Sequence, residues 1–203
     1  MPLSYAEKVI AVIAGIAVPA AVGWIGVRNR RAFGLANTVT SMRALLVALV
    51  AGFVADADAG ARAAAAVGLA ATATALDGVD GWVARRTDTV TAFGARFDME
   101  VDALLILVLA ILAWQIDKAG VWVLAAGLLR YAFVIAGWIA PWMRRPLSPT
   151  NRARAICIVQ LITLMIALLP AVHRPASAIV AGAGLAALTY SFGVDTWRLW
   201  QLR

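Results

Sequence analysis

Cysteine occurs once in this chain, at Cys157, and histidine once, at His173. A single cysteine excludes an intramolecular disulfide, and a zinc site built from His and Cys is excluded with it. Cys157 lies in an apolar run and reads as a small buried hydrophobe, while His173, next to Arg174 and Pro175 between two apolar runs, reads as a loop residue. Internal repeats are missing, as are low-complexity tracts beyond alanine-rich stretches such as 63–66, which suit close helix packing. The net charge of +7 comes without any RNA- or DNA-binding motif, so nucleic acid is not expected as a partner and anionic lipid headgroups are. Lysine is nearly absent against arginine, which hints at a GC-rich bacterial genome and the inner or plasma membrane.

What the chain has in abundance is apolar length. Its 203 residues are 63% hydrophobic with a mean hydropathy of +0.85, values outside the range of ordinary soluble domains of this size, so an integral membrane protein is expected. Apolar runs near residues 9–27, 38–56, 61–80, 95–116, 120–141, 154–172 and 176–197 each approach the roughly 20 residues needed to cross a hydrocarbon core. They predict an all-α, polytopic transmembrane bundle of six core helices and one extra N-terminal helix. Two regions follow: residues 1–36 as that extra helix with a basic segment, and 37–203 as one membrane domain.

Arginines 28, 30, 31, 85, 86, 96, 144, 145, 152, 154, 198 and 203 fall on one side of such a bundle, against Arg62, Lys118 and Arg174 on the other, so the former side is expected to be cytoplasmic. The first run, Val9 to Val27, resembles a secretory h-region, and the small residues around Ala20 and Ala21 resemble a cleavage site, but Arg28, Arg30 and Arg31 would hold its end on the wrong side for cleavage. Retention as a helix is the favoured expectation, and lying flat on the membrane is a third reading. Polar segments 28–37, 86–94 and 142–153 are expected as cytoplasmic loops, and 56–60 and 117–119 as tight turns outside.

Four carboxylates stand in this apolar setting: Asp77, Asp80, Asp98 and Asp102. An acid near a bilayer centre costs about 2.5–3.5 kcal/mol, so four together demand a cation. Asp77 and Asp80 are spaced i,i+3, and Asp98 and Asp102 i,i+4, so each pair shares a helix face. Gly81 and Ala84 follow the first pair and Gly94 precedes the second by one turn, small residues that let a bulky ligand approach the backbone. Glu100 points to another face and reads as a peripheral or supporting charge, and Asp88 as a solvated loop residue. Upstream, Asn37, Thr40 and Arg43 form a polar stripe at i,i+3,i+6; it is either a helix cap with a snorkelling arginine or a ligand contact.

The pattern D-x2-D-G-x2-A-R-x8-G-x3-D-x3-D, running from Asp77 through Arg85 to Asp102, resembles the signature of the CDP-alcohol phosphatidyltransferases at every fixed position, and N-x2-T-x2-R at Asn37 to Arg43 is similar to the family too. The resemblance implies transfer of a phosphatidyl group from CDP-diacylglycerol or a related CDP-alcohol to an alcohol, with release of CMP, in phospholipid biosynthesis. It implies Asp77, Asp80, Asp98 and Asp102 as ligands of one or two Mg2+ or Mn2+ ions, with Asp102 also the general base. It further implies Gly81, Ala84, Arg85, Gly94, Asn37, Thr40 and Arg43 around the CDP group, and a homodimer.

Arg130, alone in an apolar run, should face a cavity or a partner; with Arg152, Arg154 and Gln160 it could form a basic acceptor pocket. Such a pocket suits a phosphorylated alcohol, glycerol 3-phosphate-like first and inositol phosphate second. Arg152 and Arg154 read equally well as topology signals, which leaves an unphosphorylated alcohol open. The sequence RFDMEVDALL around Asp98 and Asp102 carries none of the usual subfamily markers. A proton or cation pathway is the reading from another class, but it would not need Gly81, Ala84, Arg85 and Gly94 at fixed offsets.

Overall fold

The structure is a computed structural model that describes residues 35–54, 59–87, 92–144 and 150–203. Among these residues there are six α-helices and no strands: α1 (Leu35–Val54), α2 (Ala59–Thr87), α3 (Ala92–Gln115), α4 (Ala125–Ile139), α5 (Asn151–Leu168) and α6 (Ala176–Gln201). Short 3-10 turns at Val121–Leu124 and Pro141–Arg144 lead into and out of α4. The all-α membrane bundle expected from the sequence is therefore present. The expected extra N-terminal helix and its basic segment, up to residue 34, lie outside the described residues, as does Asp88; residues 35–36 belong to α1.

α3 is the central helix, packed against α1, α4 and α5, while α1 pairs with α2 and α5 with α6. Its Leu105, Leu109 and Leu112 are buried with Val47, Val50 and Val54 of α1 and Leu161, Leu164 and Leu168 of α5. α2 contributes a stripe of Ala63, Ala66, Ala70 and Ala73, all buried, and residues this small let its backbone lie close to α1. Outward faces are apolar as well: Leu45, Leu49, Ile135, Ile139, Ile179 and Tyr190 are exposed. A helix hydrophobic on both sides belongs in lipid.

Among the described residues, three stretches are long and apolar enough to cross a membrane, Val121–Ile139, Asn151–Leu168 and Ala176–Gln201, and the apolar part of α1, Val39–Val54, is shorter. That is fewer than the sequence runs suggested. α2 and α3, with 29 and 24 residues, have the length, but both run through the acid motif, which dilutes their hydropathy. α2 continues seven residues past the expected end at residue 80, so Arg86 and Thr87 are helical where a loop was expected; α3 likewise starts at Ala92. Residues 59–60 are helical too, and the expected loop at 142–153 contains a 3-10 turn and the start of α5. Thr150 caps α5, its Oγ1 accepting from the Ala153 backbone N–H at 3.2 Å.

The ends of the bundle differ. At one, the Lys118 ammonium donates to the carbonyls of Leu169 (3.0 Å) and Val172 (2.5 Å), Ser177 donates to the Lys118 carbonyl (2.7 Å), and Arg174 pairs with Asp117. These contacts tie the α3–α4 connection to the α5–α6 turn. The acid motif lies at the other end.

Candidate functional site

Asp77 on α2 and Asp98 and Asp102 on α3 converge, each offering one carboxylate oxygen so that all three oxygens lie within 4.8 Å of one another. Two helices supply them because the i,i+4 spacing stacks Asp98 and Asp102 on one face of α3, turned toward Asp77. Their side chains keep 22%, 32% and 20% of their surface exposed, so the cluster opens on one side.

On the closed side stands Arg43 of α1, 1% exposed. Its Nη1 donates to Oδ1 of Asp77 at 2.8 Å and to Oδ1 of Asp98, its Nη2 to Oδ1 of Asp102 at 2.5 Å, and its Nε to the Ala73 carbonyl, one turn before Asp77, at 3.0 Å. One guanidinium thus joins three helices, and Thr40 is buried one turn before it. Removing one partner from a buried pair of this kind costs about 3–5 kcal/mol, because the remaining charges stay desolvated. Of the two readings of Arg43, snorkelling to headgroups does not fit: the side chain is internal, held by the acids that sequence reasoning reserved for a metal, and contact with a CDP group stays an expectation.

α5 closes another flank. The Cys157 thiol is 3.9 Å from Oδ2 of Asp102, so the residue expected as a mere core filler borders the cluster. Arg154, one turn earlier on α5, is exposed, and Gln160, one turn later, is fully buried with neither amide atom hydrogen-bonded. Gly184 of α6 faces Gln160, where an added Cβ would come 2.9 Å from Oε1.

Two of the three basic residues expected around an acceptor are partnered. Arg130 of α4 donates through Nη2 to Glu100 of α3 at 2.7 Å, and Arg152 of α5 pairs with Asp195 of α6. Each uses a terminal nitrogen, and the Nε of each is buried without a hydrogen bond. Glu100 is thereby the link between Arg130 and the helix that carries Asp98 and Asp102. Sequence reasoning missed Asp195, although a lone acid in the apolar run of α6 was a signal for a partner.

Gly94 lies in the first turn of α3, half-buried, one turn before Asp98. Asp80, Gly81, Ala84 and Arg85 occupy the last turns of α2 by backbone, and their side chains, like that of Asn37 at the start of α1, lie outside the described residues.

The donor set fits a hard divalent ion: three carboxylates, oxygen only, close enough to share one cation and already gathered around a positive charge. Fold and site together define a polytopic helical membrane protein with a carboxylate cluster at one end of the bundle. The family model for CDP-alcohol phosphatidyltransferase matches residues 33–193, which covers α1 through most of α6, and the chain belongs to that family. No curated protein and no solved structure matches it. Membership implies an enzyme that transfers a phosphatidyl group from a CDP-alcohol to an alcohol.

Proposed function

We propose that this chain transfers a phosphatidyl group from CDP-diacylglycerol or a related CDP-alcohol to a phosphorylated alcohol of the glycerol 3-phosphate type, using Mg2+ or Mn2+ held by Asp77, Asp80, Asp98 and Asp102. The convergence of Asp77, Asp98 and Asp102 within 4.8 Å carries this reading. When bound, the divalent ion supplies charge neutralisation for the pyrophosphate and polarises its oxygens. The alcohol oxygen forms a bond to the lipid-linked phosphorus, the pyrophosphate P–O bond breaks with its electron pair leaving on CMP, and Asp102 takes the hydroxyl proton. Asn37, Thr40, Gly81, Ala84, Arg85 and Gly94 would surround the nucleotide, small residues giving room and Arg85 a phosphate partner.

Arg130, Arg152 and Arg154 are proposed to receive the acceptor's phosphate. The buried Nε of Arg130 and of Arg152 supports this, since each guanidinium keeps an unused donor that an oxyanion could satisfy. Inositol phosphate would meet the same groups. A second reading, an acceptor without phosphate, is favoured by the ion pairs to Glu100 and Asp195, which neutralise two of the three arginines. Residues 1–36 are proposed as a separate N-terminal membrane segment beside a 37–203 catalytic domain. We further place the protein as a homodimer in a bacterial inner membrane, with the acid cluster on the cytoplasmic side.

Purified protein given Mg2+, labelled CDP-diacylglycerol and a panel of alcohols is expected to release CMP only with an acceptor, fastest with glycerol 3-phosphate, and to form one lipid product. CMP release that ignores the acceptor would sink the transferase reading, and turnover only with unphosphorylated alcohols would select the second.

A further inference from the structure

Each of the three clustered acids accepts from Arg43 through one oxygen, the same donor set that a divalent ion would need. Nη1 of Arg43 holds Oδ1 of Asp77 and of Asp98, and Nη2 holds Oδ1 of Asp102. The guanidinium is 1% exposed and anchored by Nε on the Ala73 carbonyl, whereas the acids keep between 20% and 32% of their surface open. An ion therefore approaches from the open side and meets carboxylates each of which already gives its Oδ1 to Arg43.

Magnesium stands about 2.0–2.1 Å from its oxygens, so an ion on the Oδ1 atoms that Arg43 holds would lie within about 5 Å of a guanidinium nitrogen. Repulsion between a divalent and a monovalent cation at that distance exceeds thermal energy even at the dielectric of water, and more so beside a bilayer. Each cation therefore weakens the other's hold on the acids they share.

We propose that Arg43 is the cluster's resident counter-cation and that a divalent ion loads by exchange, the guanidinium giving up Asp77, Asp98 and Asp102 as the ion takes them. The proposal rests on reading the cluster as a metal site. It makes metal affinity a competition, set by Arg43 as much as by the acids, and it keeps three carboxylates paired at an apolar junction of three helices whenever the ion is away. Arg43 acts here as a positioning residue, through the ligands.

The test is Mn2+ binding to the full chain in detergent, stripped with EDTA and followed by electron paramagnetic resonance, for wild type, Arg43→Gln and Arg43→Lys. Arg43→Gln is expected to bind Mn2+ about tenfold more tightly, as when a binding-competent state populated at about one part in ten becomes the only state. Arg43→Lys, one ammonium in place of a fork that reaches three acids, should fall between. In EDTA the Gln variant should melt below wild type, and saturating Mn2+ should raise its Tm by more. A folded variant that binds Mn2+ no better than wild type overturns the exchange, since a clamp that only shapes the acids would weaken binding when lost. If Arg43→Gln does not fold, Arg43→Lys decides by the same criterion. Absence of Mn2+ binding to wild type would overturn the metal reading itself, a result distinct from equal binding by all three proteins.

Discussion

Arg130 donates to Glu100, and Glu100 stands between Asp98 and Asp102 on α3, so one arginine is coupled to the acid cluster and to the proposed acceptor at once. Arg130→Gln is expected to raise the KM for glycerol 3-phosphate about tenfold, the loss of one charge-assisted contact, while the KM for CDP-diacylglycerol stays within about twofold. Glu100→Gln should move the acceptor KM by less than about threefold, because the guanidinium stays in place. Steady-state kinetics on both variants checks this; parallel rises in both constants would assign the pair to packing alone. The sequence made the acids conspicuous because each stands in apolar surroundings where charge is costly. It also marked Arg43, through the stripe with Thr40, but not its partners, which lie 55 and 59 residues away at Asp98 and Asp102 and meet it only once α1 and α3 are packed. Cys157 offered no signal, since a thiol in an apolar run reads the same whether it faces core or carboxylate.

The contact between α3 and α4 depends on Gly127, where an added Cβ would come 2.5 Å from both Cα and Cβ of Leu107. Backbone cannot move aside cheaply, so Gly127→Ala is expected to destabilise by about 1–3 kcal/mol, the range for overpacking. Gly52 on α1 has nothing within 4 Å of an added Cβ, so Gly52→Ala should be neutral or stabilise by about 0.5–1 kcal/mol through helix preference. Thermal unfolding of both in one detergent separates them: Gly127→Ala must melt first, and equal melting would mean that α3 and α4 lie further apart. Helix positions were legible from apolar runs, since hydropathy reports lipid contact directly. The ends of α2 and α3 were not, because the motif that extends both helices is polar and small, a composition that reads as loop until the acids are seen to need a rigid backbone to converge. The ion pairs between helices, Arg130 to Glu100 and Arg152 to Asp195, were illegible for a related reason: a charge in an apolar run announces that it has a partner without saying which.

Seen along its length, the bundle carries its basic residues unequally. Arg144 and Arg198 lie in the last turns of the Pro141–Arg144 element and of α6, Arg152 and Arg154 in the first turns of α5, whereas Lys118 and Arg174 lie at the opposite end, bound into the knot with Leu169, Val172 and Asp117. Cytoplasmic loops gather arginine and lysine, so this asymmetry supports the proposed orientation, with the acid cluster toward the cytoplasm, the side on which a water-soluble acceptor of the proposed kind would be met. The orientation is checked with cysteines placed one at a time in a Cys157→Ala background, at Arg174 and at Arg154, both exposed positions. In intact bacterial cells a membrane-impermeant maleimide is expected to label Arg174→Cys and to leave Arg154→Cys untouched until the membrane is permeabilised. Labelling in the reverse order would turn the bundle over and put the cluster on the outer face, away from the cytoplasmic substrates that the proposal requires; that result would remove the proposed reaction along with the orientation.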